Sequence, residues 1–253
     1  MNGEIKQICE IVISARKSLY SCEPIEFEPD ELRYSVRFVF GPRFFLRKTV
    51  CSVKEWFRYC RKWGIEDIQF WAPVEVKELH LLGFANTAQS CILCYWNNGT
   101  VSCFVPNWVP DRTAGRWIVE YTEVPPNAPL EKFHYIERSG ELKQILLEIS
   151  AFAEEIDAPW FAERYRSAYE ILCESVPVAH EQIPAGLPAE MTALFYAVYL
   201  ADLFGAMGSW NDSPKWNAEN NGRLAEYHAY SAVLLKQLRL NLLYVINECW
   251  RRT

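Results

Sequence analysis

Two residues near the C-terminus stand out for the chemistry they could perform together, Asp202 and His228. Asp202 is one of two strongly polar side chains between Met191 and Met207, the other being Thr192. His228 interrupts a seam in which Leu224, His228, Ser231, Leu235, Leu238, Leu242, Val245 and Cys249 alternate steps of four and three. A carboxylate and an imidazole meeting inside a helical bundle can form an acid/base pair or a polar anchor for a ligand, since burial perturbs both groups. Antiparallel packing of the two stretches would bring them together. The plainer reading carries more weight: an aspartate turned to a wet edge and a core histidine with one hydrogen bond.

A second candidate lies between those stretches. The segment GSWNDSPKWNAENNG is polar except for Trp210 and Trp216. Paired tryptophans beside Asn and Asp in a loop are candidate ligand-binding residues, for a sugar or another small molecule. The same rings could serve only to pin the loop to the bundle.

Cys91 and Cys94 have the spacing of a zinc knuckle, but they fall within SCILCYWNNGTVSCFV, the clearest hairpin of the chain. Residues three apart on a strand point to opposite faces, whereas a metal-binding CxxC needs a tight turn. No second CxxC or HxxxH supplies further ligands, so no metal is expected. Nor is there a phosphate-binding GxxxxGK[ST], a GxGxxG after a strand, a GxSxG elbow or an HExxH. No cofactor is expected. His80, His134 and His180 complete the histidines, and nothing in the spacing selects one as a catalyst.

Composition narrows the class. Half of the 253 residues are hydrophobic and 15% aromatic, ample for a packed core. The nine cysteines are an odd number in a chain far longer than small disulfide scaffolds, which favours reduced thiols. The first residues lack the apolar run of a signal peptide, so a cytoplasmic location is expected. Net charge is −6, concentrated between 141 and 190, where ten acids face three bases. Such a segment could steer a basic protein partner, although solvating a helix pair is its commoner use. A basic stretch contains Arg43, Arg47, Lys48, Lys54, Arg58, Arg61 and Lys62, interleaved with Trp56, Phe57 and Trp63. Its aromatics fall at core spacing, whereas a platform for single strands needs them exposed. A solvated face is expected there, and nucleic acid is not an expected partner.

The elements that must position these residues follow from periodicity. Asn2 caps a helix reaching about residue 20. A period-two run from Arg33 predicts a strand, turned at Gly41-Pro42 into a second. Ser52 and Glu55 form a capping box for a short helix ended by Gly64. IQFWAP, VEVKELHLLGF, the Asn98-Gly99 hairpin, WIVEYTEV and EKFHYIER read as further strands. For the hairpin, a type I′ turn would pair Cys94 with Cys103. Helices follow over 139–156 and 159–174. The apolar run from Leu187 to Met207 reads as a buried helix whose Ala193, Ala197, Ala201 and Gly205 form a small-residue ridge. At that length, with Asp202 inside it, a membrane span is not expected.

The expected fold is therefore α+β: an N-terminal antiparallel sheet with flanking helices over 1–138, followed by a four-helix bundle-like part over 139–253. The two parts are free to share one core. Absent a catalytic signature, the expected role is a macromolecular interaction protein, regulatory or immunity-like, acting through the acidic helical surface. The alternative is an enzyme or small-ligand binder with its site at the sheet–bundle junction.

Overall fold

Asn2 opens the first helix by accepting a hydrogen bond from the Glu4 N–H at 2.7 Å, and α1 (Gly3–Ser21) follows with Ile5, Ile8, Val12 and Ala15 fully buried. The computed structural model describes residues 1–27, 34–43, 46–125, 131–174, 178 and 182–250, the side chains of 42, 43, 46 and 47 excepted. His180 and the side chains of Arg43 and Arg47 thus lie outside the described residues.

The alternating run becomes β1 (Tyr34–Arg43), with Val36, Phe38 and Phe40 turned to the core. The strand continues through Gly41-Pro42 rather than turning there, because the Glu123 carboxylate holds the Gly41 N–H at 2.8 Å. Its antiparallel neighbour is β2 (Leu46–Val50). The Ser52 cap forms as expected, its Oγ accepting from the Glu55 N–H, but Glu55 reaches back one residue further, to the Cys51 N–H. α2 (Val53–Lys62) then buries Trp56, Phe57 and Cys60 and stops at Gly64, whose φ of +78° suits glycine. β3 (Ile65–Trp71) follows. VEVKELHLLGF does not form a strand. Its apolar side chains serve a 3-10 turn, Leu79–Gly83, that buries Leu82.

β4 (Cys91–Trp96), β5 (Val101–Asp111) and β6 (Arg116–Val124) form an antiparallel meander. The first hairpin differs from the expected type I′ turn. Gly99 N–H donates to Trp96 O at 2.9 Å and Trp96 N–H to Thr100 O at 3.0 Å, and only Gly99 of the three loop residues has positive φ. This three-residue loop shifts the register by one, so Cys94 pairs with Ser102 and Leu93 with Cys103. Cys94 consequently faces the main core, while Cys91 and Cys103 share the opposite face with Leu93, Tyr95 and Val101.

The six strands lie in the order β2-β1-β6-β5-β4-β3. Every pairing is antiparallel except β1 with β6, so the expected antiparallel sheet is mixed. The β1–β2 hairpin and the β3–β6 meander each pair locally, and they join through two strands far apart in sequence. EKFHYIER adds no strand. Its backbone is held by side chains instead: Gln69 bonds both the C=O and the N–H of Phe133, Glu248 accepts from Tyr135 N–H, and Asn241 bridges Arg138.

The helical part comprises α3 (Ser139–Glu155), α4 (Pro159–Leu172), α5 (Ala189–Ala201), α6 (Ser213–Asn220) and α7 (Leu224–Glu248). The extra short helix, α6, arises in the segment read as a polar loop, with Pro214 in its first turn where the missing N–H is no loss. The architecture is α+β, with the helical region C-terminal. Among the described residues no helix is long and apolar enough to cross a membrane. One hydrophobic cluster runs without interruption from Ile5 of α1 through the covered sheet face to Ile246 of α7.

α5 is shorter than its sequence implied. The helix ends at Ala201, and residues 202–212 leave it as an irregular segment whose Met207 is 93% exposed. Two groups cap it there. The α-amino group of Met1 donates to Tyr199 O at 3.2 Å and Asp202 O at 2.7 Å, satisfying carbonyls that the last turn leaves open. The Asp202 carboxylate turns to Arg239 of α7. Ala197 and Ala201 remain buried ridge residues, but Gly205 serves a loop.

Candidate functional site

The sheet–bundle junction contains a cleft of about 430 Å³. Five parts of the chain meet there: the start of α1, the 3-10 turn with Phe84, Trp108 of β5, Trp160 and Phe161 of α4, and the 202–209 segment. The turn and the segment touch backbone to backbone. A Cβ on Gly83 would stand 2.2 Å from Ala206 N, so only glycine fits. Trp108 is fixed by a reciprocal pair of hydrogen bonds between its backbone and the Asn86 amide, at 2.6 and 3.1 Å.

Glu4 carries the chemistry of this cleft. Its side chain is 5% exposed, yet it belongs to the cleft wall. One carboxylate oxygen accepts from the Asn86 N–H at 2.9 Å and the other from Ser90 Oγ at 3.5 Å. Among the described residues no cation lies within ion-pair reach of it. Burial pushes the Glu4 carboxyl above its ordinary value, and the two hydrogen bonds oppose that only in part. The nearby Met1 amine is committed to two carbonyls, and burial lowers its pKa, which disfavours its charged form. The helix start is likewise satisfied, since Asn2 takes the Glu4 N–H and donates to Leu82 O at 2.6 Å.

Five aromatic residues contribute to the walls, Trp108 among them. Phe161 and Phe204 are buried, while Phe84 is 51% and Trp160 49% exposed at the lip. Trp160 is held edge-on to Phe161, with the Arg164 guanidinium 5.1 Å from its ring centre.

The residues singled out from the sequence are dispersed. Asp202 does reach the cleft, but its carboxylate faces Arg239 Nη1 at 3.5 Å, with both side chains nearly fully buried. His228 is exposed on α7, and its neighbour Tyr227 takes the core position instead. The helical seam is one residue off at that point, so no Asp202–His228 pair forms. Trp210 and Trp216 separate as well. Trp210 is fully buried, donates to Ser231 Oγ at 2.8 Å and stacks on Tyr227 at 5.4 Å. Trp216 is 65% exposed on α6. Neither lines the cleft. Sequence reasoning missed Glu4 because it reads as an ordinary first-turn acid; only its burial among residues 82–90 distinguishes it. Arg239 was missed because it sits on a long amphipathic helix, where arginines usually face water.

The acidic segment is partly neutralised within the chain. Glu141 pairs with Arg138, Glu154 with Arg166 and Glu155 with Arg223. The chain matches no family model, and no match to a curated protein or a solved structure was found.

Proposed function

We propose that the protein binds a small organic cation, a basic nitrogen on a flat or apolar body, in the cleft at the sheet–bundle junction. The observation that carries this reading is Glu4: a buried carboxylate without a cationic partner among the described residues, on a residue of a cleft that also includes Phe84, Trp108, Trp160, Phe161 and Phe204. Aromatic faces and a desolvated carboxylate both favour a cation, and a cleft of this volume suits a small ligand. The residues at hand supply recognition without an evident nucleophile or proton relay, so the reading is of a binding protein.

The test is calorimetric titration of benzylamine and tetramethylammonium against benzoate, with tryptophan fluorescence as a second readout. The cations are expected to bind and benzoate to fail. Glu4→Gln is expected to weaken binding by at least about tenfold, and Trp160→Ala, at an exposed position, by a few-fold. Equal binding of benzoate, or no effect of Glu4→Gln, would refute the reading.

A second reading keeps the acidic helical surface as a docking site for a basic protein partner. Supporting it, exposed Leu147 adjoins exposed Glu148 on α3, and exposed Trp160 shares α4 with exposed Glu163. Co-purification of a basic protein, lost at high salt and lost in Glu148→Lys/Glu163→Lys, is its test. A cytoplasmic setting is part of both readings, and the nine free thiols support it.

A further inference from the structure

The chain is acidic, yet between residues 48 and 62 five cations stand against one acid, Glu55. Three of these cations, Lys48 of the edge strand β2 and Arg58 and Lys62 of α2, line one groove of about 340 Å³, with Tyr59 also in its wall. Lys54 and Arg61 are exposed on the same helix. Glu55 also lines the groove, where its carboxylate accepts from the Cys51 N–H at 3.1 Å. Among the described residues, Lys48, Lys54, Arg58 and Lys62 have no carboxylate within ion-pair reach. This contrasts with the acids of α3, where Glu141, Glu154 and Glu155 each pair with an arginine.

We infer that this groove binds the phosphate backbone of a single-stranded nucleic acid. Lys54, Arg58 and Lys62 recur every four residues, so successive cations stand about 6 Å apart along the helix, comparable with successive phosphates on an extended strand. A concave site suits a strand; a bilayer surface or a duplex groove would call for a convex one. Tyr59 in the groove wall, with Trp63 beyond it, offers a place for a base. Tyr59 is half-buried against Phe40, and its ring centre lies 5.9 Å from that of Trp63, which is 37% exposed at the end of α2. Stacking on such a ring tolerates any base. The sequence argued against nucleic acid because Trp56, Phe57, Cys60 and Trp63 share core spacing; the fold buries the first three and leaves Trp63 at the surface.

The experiment is fluorescence anisotropy of a labelled oligothymidylate of about ten residues with the full chain across a salt series. Binding that falls with salt is expected, at roughly −0.7 in log–log slope per phosphate contacted. Arg58→Glu/Lys62→Glu is expected to weaken it at least about tenfold and to flatten the slope, while Lys215→Glu on α6 leaves it unchanged. Trp63→Ala is expected to weaken binding about tenfold without altering the slope, which separates stacking from charge. Circular dichroism confirms that each variant is folded. The inference is overturned if the oligonucleotide does not bind, or if the Arg58/Lys62 variant binds like the parent. It is equally overturned if inorganic triphosphate or phosphatidylserine vesicles compete at lower concentration than unlabelled oligonucleotide.

Discussion

Asp202 and Arg239 form a buried ion pair between the end of α5 and α7, and the cost of losing one partner exceeds the worth of the pair. Removing the carboxylate leaves a guanidinium in the core. Asp202→Ala is expected to cost about 3–5 kcal/mol in urea unfolding, whereas Asp202→Leu with Arg239→Met recovers most of that loss. His228→Ala, at an exposed position, is expected to change stability by no more than about 0.5 kcal/mol, which checks that no buried pair involves it. Glu4 gives a pH signature. Its carboxyl is raised above the ordinary 4.5 by burial, so its favourable contribution is present below pH 4.5 and is lost as pH rises through the folded value. Glu4→Gln is therefore expected to be as stable as the parent or more so at pH 7–8, an advantage that shrinks toward pH 4. Urea midpoints at the two pH values decide it. A residue that weakens the fold near neutrality despite the hydrogen bonds it accepts is the kind a binding site carries.

Among the elements, α7 does more than fill the bundle. The Asn247 amide at its C-terminal end bonds both the N–H and the C=O of Phe70, at 2.8 and 2.9 Å, so one side chain stands where another strand would pair with β3. That covers an edge which would otherwise be open to pairing. Asn247→Ala is expected to cost about 1–3 kcal/mol for each backbone group left unpaired, and to speed hydrogen exchange at Phe70 ahead of the strand centres. Gln69 does the same for Phe133 on the other side of β3. These contacts explain why EKFHYIER, strand-like in composition, stays irregular: side chains have taken the hydrogen bonds a ladder would have supplied.

At the scale of the molecule, α1 and α7 tie the sheet to the helices. Arg16 of α1 donates to Asp67 and Ile68 O of β3 and to Trp250 O beyond α7, at 2.5, 2.7 and 2.5 Å, and Tyr20 OH joins at Asp67. With one core cluster spanning both parts, chemical unfolding is expected to be a single transition, coincident by tryptophan fluorescence and far-ultraviolet circular dichroism. Separate transitions for the 1–138 and 139–253 parts would instead show two units that fold independently.

What the sequence determined by itself was local: the Asn2 and Ser52 caps, the period-two face of β1, the two helices α3 and α4, and most of the α7 seam. Each depends on neighbours within a few residues, where backbone geometry and apolar spacing suffice. The tertiary structure decided everything that needed a distant partner. Arg239 and the Met1 amine end α5 at Asp202, a loop of three residues slips the Cys94 register, and β1 meets β6 in parallel across some eighty intervening residues. Glu4 acquired its significance in the same way, because its burial, and the absence of a cation beside it among the described residues, are properties of surroundings assembled from separate parts of the chain.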